Sequence, residues 1–156
     1  MDDLVKIFFD RFLSRGLTLS TAESCTGGLL AATIAQRPGI SPVFVGSCVA
    51  YSNSAKEKLM EVPTHMLKSY GAVSSPVALA MAKNVRKSLG SSWAVSITGI
   101  AGPSGGTDDK PVGTVWIAVS GPGIEATERK LIKGDRLTIQ KQAAELALRF
   151  LLEQSK

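Results

Sequence analysis

Between Leu17 and Ala35 the chain switches from one periodicity to another across a short segment of small and hydroxyl-bearing residues, and this switch constrains the fold more than any other stretch. Leu17-Thr18-Leu19-Ser20-Thr21 alternates with period two and predicts a short strand, whereas Leu29-Leu30-Ala31-Ala32-Thr33-Ile34-Ala35 is rich in helix formers. The intervening Thr21-Ala22-Glu23-Ser24-Cys25-Thr26-Gly27-Gly28 is therefore a strand-to-helix turn. A helix start carries unpaired backbone N–H groups and a positive dipole, which suit a phosphate or a developing oxyanion. Gly27 and Gly28 allow backbone to approach a ligand closely. The simpler alternative is that Thr26 is an N-cap and the two glycines a tight turn.

The rest of the chain repeats the alternation. Asp2 to Arg15 places Leu4, Val5, Ile7, Phe8, Phe12 and Leu13 at helical spacing with Gly16 as a stop, and this helix is expected to pack on the sheet. After the break at Arg37-Pro38-Gly39, Val43 to Tyr51 reads as a second strand whose apolar content predicts burial on both faces. Ser52 to Met60 reads as a cap and short helix with Lys56 in or near its first turn, and Thr64 to Tyr70 as another short helix after Pro63. Ser75-Pro76 opens a helix running to Leu89-Gly90, with Ser75 as N-cap, Pro76 at N1 and Met81 in the core. Trp93 to Thr98 and Gly113 to Val119 are strands on either side of a glycine-rich loop. Ile124 to Ile132 is the hairpin partner of the second of them, and Asp135 caps a final helix over Leu137 to Glu153. Helices alternating with strands plus one hairpin predict a three-layer α/β/α sandwich with a mixed central sheet, in one domain spanning residues 1–156.

Composition excludes several functions. With 44% hydrophobic and 20% charged residues the chain reads as a soluble globular protein, and no apolar stretch reaches membrane-spanning length. The acidic start Met1-Asp2-Asp3 is unlike a secretory signal, so a cytoplasmic location is expected. Cys25, Cys48 and His65 are the only residues of their types, too few for a disulfide framework or a zinc cluster. A carboxylate-only Mg²⁺ site has no specific marker. Both cysteines read as small buried hydrophobes, and Cys25 ranks below Ser24 as a nucleophile for want of a histidine partner. His65 reads as a surface or boundary side chain. The net charge of +5 includes a Lys83-Arg86-Lys87 group and an Arg129-Lys130-Lys133 group. Neither is interleaved with stacking aromatics, so both read as solvated faces and no nucleic-acid partner is expected.

Glycine-rich or small polar segments follow the predicted strands at Ser24–Gly28, Thr98–Thr107 and Gly134–Arg136, with Lys56 at a fourth strand end. Open α/β sheets bind ligands at such ends, so the loops are expected to share one site. The usual templates fail: there is no Walker A sequence and no G-x-S-x-G elbow, and Asn53 stands where an S-x-x-K motif ending at Lys56 needs serine. Gly121-x-Gly123-x-x-Ala126 joins strand to strand and is not a dinucleotide fingerprint. A serine nucleophile needs a base, and lysine becomes the leading one by elimination. Its free-solution pKa of about 10.4 must then fall toward about 7–8, through burial or a nearby positive charge. Arg136 or the helix terminus near Ser24 are candidate sources of the field, and Tyr51 is a candidate to position the base.

These motifs together, with Tyr51-Ser52-Asn53-x-x-Lys56, Gly71-Ala72-Val73-Ser74, Thr98-Gly99-Ile100-Ala101-Gly102-Pro103-x-Gly105-Gly106, Lys110-Pro111-Val112-Gly113-Thr114-Val115 and Gly134-Asp135-Arg136, make the chain resemble the CinA C-terminal domain family, collinearly from about Leu4 to Leu152. Its stand-alone members include nicotinamide mononucleotide deamidases of the PncC type. The resemblance implies hydrolysis of the carboxamide of nicotinamide mononucleotide to nicotinate mononucleotide and ammonia, in pyridine nucleotide recycling, with no metal or organic cofactor. It makes Ser24 the nucleophile and Lys56 the general base, with Tyr51 nearby. Backbone N–H groups around Cys25, Thr26, Gly27 and Gly28, or from Gly99 to Gly102, are the expected oxyanion donors. Arg136, with Thr26 or Lys110, is expected at the 5′-phosphate. Thr98, Gly99, Ala101, Gly102, Gly113 and Thr114 complete the implied substrate-binding set. Ala50 stands where several relatives carry threonine, so a pocket hydroxyl is expected to be missing. The pyrophosphatase activity associated with fused members is not implied. The expected partners are a small phosphorylated nucleotide and further copies of the chain in a homo-oligomer. The competing readings are a nucleotide-binding regulatory protein without turnover and, behind it, a basic nucleic-acid accessory protein.

Overall fold

In the computed structural model, which describes residues 1–156, five strands form one sheet in the order β2-β1-β3-β4-β5. The strands are β1 (Leu19–Glu23), β2 (Phe44–Val49), β3 (Trp93–Gly99), β4 (Thr114–Gly121) and β5 (Ile124–Leu131). β1 pairs in parallel with β2 on one side and β3 on the other, while β3–β4 and β4–β5 are antiparallel. The sheet is therefore mixed, as expected. The helices are α1 (Asp2–Ser14), α2 (Leu29–Ala35), α3 (Asn53–Met60), α4 (Thr64–Tyr70), α5 (Ser75–Leu89) and α6 (Arg136–Gln154).

Two layers of helix cover the sheet. On one face, Val5, Phe8 and Phe12 of α1, Leu30 and Ile34 of α2, and Ile139, Ala143, Leu148 and Leu151 of α6 bury against Leu19, Val95, Ile97, Val115, Ile117 and Val119. On the other, Val77, Met81 and Val85 of α5 pack with Ala22, Ala94, Met60 of α3 and Leu67 of α4. Ala78 and Ala82 meet Ala118, small residues that bring α5 close to the sheet. α1 has α6 as its main neighbour instead of lying flat on the strands, and Arg11 and Arg15 donate to the Leu152 and Ser155 carbonyls at the end of α6. Ile7 and Leu13, which helical spacing placed on the apolar stripe, are 47% and 46% exposed because α6 covers a narrower strip.

β2 corrects one expectation. Its residues alternate between half-buried and exposed, not buried on both faces, because it is an edge strand flanked only by β1. β1, with partners on both sides, is buried throughout. Ser74 rather than Ser75 occupies the N-cap of α5. The Ser75 hydroxyl instead meets Thr127 of β5 at 2.9 Å, which ties α5 to the sheet.

This topology brings the loops to one edge. The carboxyl ends of β1, β2 and β3 lie together because the three are parallel, and the antiparallel β4 starts where they end. β5 returns there and feeds α6. The reversal of direction of the connections at β1 is the switch point at which open α/β sheets form ligand sites.

Candidate active site

Lys56 enters the site from the first turns of α3. The Ser52 hydroxyl accepts from the Ala55 N–H and fixes the helix start, which leaves Lys56 four residues in and turned inward. Lys56 is only 2% exposed, an extreme burial for a residue type almost always found in water. Its Nζ lies 2.8 Å from Ser24 Oγ, 3.2 Å from the Ala50 carbonyl and 3.1 Å from the Tyr51 carbonyl. Burial lowers its pKa from the ordinary 10.5, and the Cys25 thiol opposes this. Of the two expected routes, burial and a nearby positive charge, burial is the one that acts, and Arg136 is not among the causes. A neutral amine has two N–H donors and one lone pair. With the two carbonyls accepting the donors, the remaining direction faces Ser24.

Ser24 itself is 6% exposed and sits one residue beyond β1, its N–H bonded to the Ile97 carbonyl of β3. The next residues correct the reading of the turn. Helix α2 begins only at Leu29, its N-cap is Gly28 in the left-handed conformation, and no side chain of the N-cap residue bonds to it. The cap is Glu23. This fully buried carboxylate accepts from Thr26 Oγ1 at 2.6 Å, Gly28 N at 3.2 Å, Leu30 N at 3.1 Å and Ala31 N at 2.8 Å. Thr26 thus serves the cap as a donor to Glu23, and the helix terminus is already occupied by a negative group. The signal for Glu23 was an acidic residue within one turn's reach of a helix start; nothing in the sequence showed that it folds back over five residues.

Cys25 faces inward at 4% exposure, and burial pushes its thiol up to about 12, with the field of Glu23 acting the same way, so it is a packing residue and not a thiolate nucleophile. A methyl group added at Gly99 would stand 3.1 Å from its sulfur, which places the second loop against the first. Gln140 of α6, which sequence alone did not single out, donates from Nε2 to the Cys25 carbonyl at 2.8 Å. Arg136, at the first residue of α6, donates to the Gly102 carbonyl at 2.7 Å and to the Tyr51 hydroxyl. Tyr51 therefore touches Lys56 through its carbonyl, while its exposed ring reaches Arg136.

The remaining candidates divide. Ala101 and Gly102 belong to the loop held by Arg136, and Gly102 packs on Val112. Thr98 is buried with its hydroxyl on the Ala72 carbonyl, and Thr114 is buried with no partner for its hydroxyl. Lys110 donates to the Tyr70 carbonyl at the end of α4, and no hydrogen bond joins it to Ser24 or Lys56. Gly113 lies under the Ile132 carbonyl, a backbone position with no room for a side chain. Ala50 is fully buried in the cluster that includes Val77, Met81 and Val85 of α5, and its carbonyl accepts from Lys56. A groove of about 310 Å³ runs beside the site between Thr26–Leu29 and Leu137, Gln140 and Lys141.

Elsewhere the basic groups serve local contacts. Lys83 pairs with Glu125 at 2.7 Å, Lys130 with Glu128, Arg86 with the Gly121 carbonyl and Arg129 with the Asp109 carbonyl. His65 is exposed. No three His, Cys, Asp or Glu side chains converge as metal ligands would, and no helix is long and apolar enough to cross a membrane.

A family model described as the CinA C-terminal domain matches residues 1–155. The chain belongs to this family. A CinA-like protein of Parasynechococcus marenigrum is 51% identical over 136 residues, 86% of this chain and 32% of that protein. One of Anaeromyxobacter dehalogenans is 47% identical over 150 residues, 96% of this chain and 37% of its own length. The chain thus spans about a third of the curated relatives it matches. Among solved structures, the competence damage-inducible protein A of Klebsiella pneumoniae superposes with a TM-score of 0.94 at 34% identity, covering 97% of this chain and 94% of that one. A CinA superfamily protein of Escherichia coli gives 0.93 at 34% identity, covering 97% and 88%. The three-layer α/β sandwich of this CinA C-terminal domain is thus the fold of its family.

Proposed function

We propose that this CinA C-terminal domain hydrolyses the carboxamide of nicotinamide mononucleotide, giving nicotinate mononucleotide and ammonia through a Ser24 acyl-enzyme. The observation that carries the reading is the contact of 2.8 Å between Lys56 Nζ and Ser24 Oγ, made by a lysine that burial makes easier to deprotonate. Neutral Lys56, its two N–H bonds directed at the Ala50 and Tyr51 carbonyls, accepts the Ser24 proton as Oγ bonds to the carboxamide carbon. The resulting ammonium returns that proton to the departing nitrogen, and ammonia leaves. Water, deprotonated by the same amine, then attacks the acyl carbon, the Oγ–carbon bond breaks, and the Lys56 ammonium returns the proton to Ser24 Oγ as the product leaves. Arg136 and the groove beside Thr26–Leu29, whose lining includes Lys141, accommodate the ribose phosphate.

Purified wild type, Ser24→Ala and Lys56→Ala proteins assayed side by side for ammonia and nicotinate mononucleotide test the reading. Turnover by wild type, with each variant folded and slower by at least about 10²–10⁴-fold, is expected. An inert wild type that still binds the nucleotide would replace the amidase with a nucleotide sensor. Equal rates in all three would remove the dyad.

A further inference from the structure

The backbone donors from Ser24 to Ala32 are almost completely engaged. Ser24 N–H goes to the Ile97 carbonyl, Gly27 to Ser24, Leu29 to Thr26 and Ala32 to Gly28. Gly28, Leu30 and Ala31 all go to the Glu23 carboxylate. Only Cys25 and Thr26 donate to no other residue, the Cys25 N–H having just its own thiol, a weak acceptor, within reach, although these residues are each just 4% exposed. Buried N–H groups without partners are rare, because each forgoes a hydrogen bond that water would have supplied. Two in succession, directly after the residue with the candidate nucleophile, mark a place prepared for an acceptor that arrives with the substrate.

We propose that Glu23 and Gln140 are positioning residues that reserve the Cys25 and Thr26 N–H groups as the oxyanion hole of Ser24, an inference that rests on the amide hydrolysis proposed above. The two act from opposite sides. Glu23 gathers the donors that open α2 together with the Thr26 hydroxyl, and so folds the loop back on itself without using the two N–H groups nearest Ser24. Gln140 holds the Cys25 carbonyl from α6. In a planar trans peptide the N–H points opposite to the carbonyl, so this bond aims the Thr26 N–H away from α6.

In the step concerned, the Ser24 Oγ–carbon bond forms, the proton passes to Lys56, and the carbonyl π pair moves onto oxygen. That oxygen accepts from Cys25 N–H and Thr26 N–H. When it reforms the carbonyl, the carbon–nitrogen bond breaks and ammonia takes the proton from Lys56. The helix α2 terminus takes no part, because Glu23 already covers it.

Two measurements test this on the intact chain. In steady-state hydrolysis of nicotinamide mononucleotide, Glu23→Gln and Gln140→Leu should lower kcat, the former by about 10²-fold, the loss typical of one oxyanion donor, with KM within about threefold of wild type. The rate ratio between the amide and its thioamide analogue should shrink in both variants, since sulfur is the poorer acceptor and a disordered hole no longer distinguishes the two. Glu23→Asp should not restore kcat, its carboxylate being one methylene too short. Unchanged kcat, or a loss of kcat with an unchanged thioamide ratio, would overturn the proposal.

The second measurement needs no substrate assignment: the rate at which a fluorophosphonate labels Ser24, with Ser24→Ala as the blank. Slower labelling of folded Glu23→Gln and Gln140→Leu is expected, and labelling as fast as wild type overturns the hole. If wild type labels but releases no ammonia from nicotinamide mononucleotide, the substrate reading falls while the hole is still judged by this rate. Should Glu23→Gln not fold, Gln140→Leu, which loses a single bond from a half-buried side chain, decides both assays.

Discussion

Lys56 is the residue at which chemistry and stability oppose each other. Its pKa is lowered in the folded chain because burial disfavours the ammonium, while the unfolded chain titrates near 10.5. Between the folded value and 10.5 the unfolded state binds more protons, so wild-type stability should rise with pH there relative to Lys56→Met, and the difference should level off below the folded value. Thermal melts of both proteins at a series of pH values measure this; a difference that does not vary with pH would mean that Lys56 titrates normally. Activity should follow the same group. The rate of ammonia release should increase as pH rises through the lowered pKa, because only the neutral amine accepts the Ser24 proton. That lysine was the candidate base was legible from the absence of any other partner for Ser24. That burial could shift its pKa was legible too; the burial itself was not, since Ser24 and the Ala50 and Tyr51 carbonyls reach Lys56 from different parts of the chain.

At the scale of elements, the glycines that join strand to loop separate two kinds of constraint. Gly113 has φ +91°, and a Cβ there would lie 1.9 Å from the Ile132 carbonyl oxygen; Gly27 has φ +61° and open space around it. Gly113→Ala should therefore destabilise by at least about 2–3 kcal/mol, combining backbone strain with a backbone clash, whereas Gly27→Ala should cost only about 1–2 kcal/mol of left-handed strain. Urea denaturation of the two variants reads the difference, and equal costs would mean that β4 and the Ile132 segment are free to separate. The glycines were visible in the sequence as breaks. Which of them was crowded depended on the return of β5 beside β4. The same holds for the start of α2, where Thr26 at the junction had the chemistry of an N-cap, and a carboxylate from inside β1 took that place.

Across the whole molecule, α5 is held near the sheet by small residues and by the Ser96 hydroxyl, which donates to the Ala78 carbonyl at 2.6 Å. Ala82→Leu should overpack this contact and cost about 1–3 kcal/mol, read as a lower urea midpoint with an unchanged slope. Because α5 also supports α3, and α3 carries Lys56, the variant should lose activity beyond its loss of folded protein; activity falling only in proportion to folded protein would show α3 to be held independently. The alternation of helices and strands, the hairpin and the side on which its loops gather were all local signals, because periodicity and glycine placement act over a few residues. They determined the α/β architecture and brought Ser24 and Lys56 forward as candidates. Their contact, the edge position of β2, the capping of α2 by Glu23 and the anchoring of the Ser24 loop by Gln140 were decided only in three dimensions. Each depends on partners 5 to 115 positions apart in the chain, and the free energy of such contacts lies in burial and hydrogen bonding that no segment possesses before the others close around it.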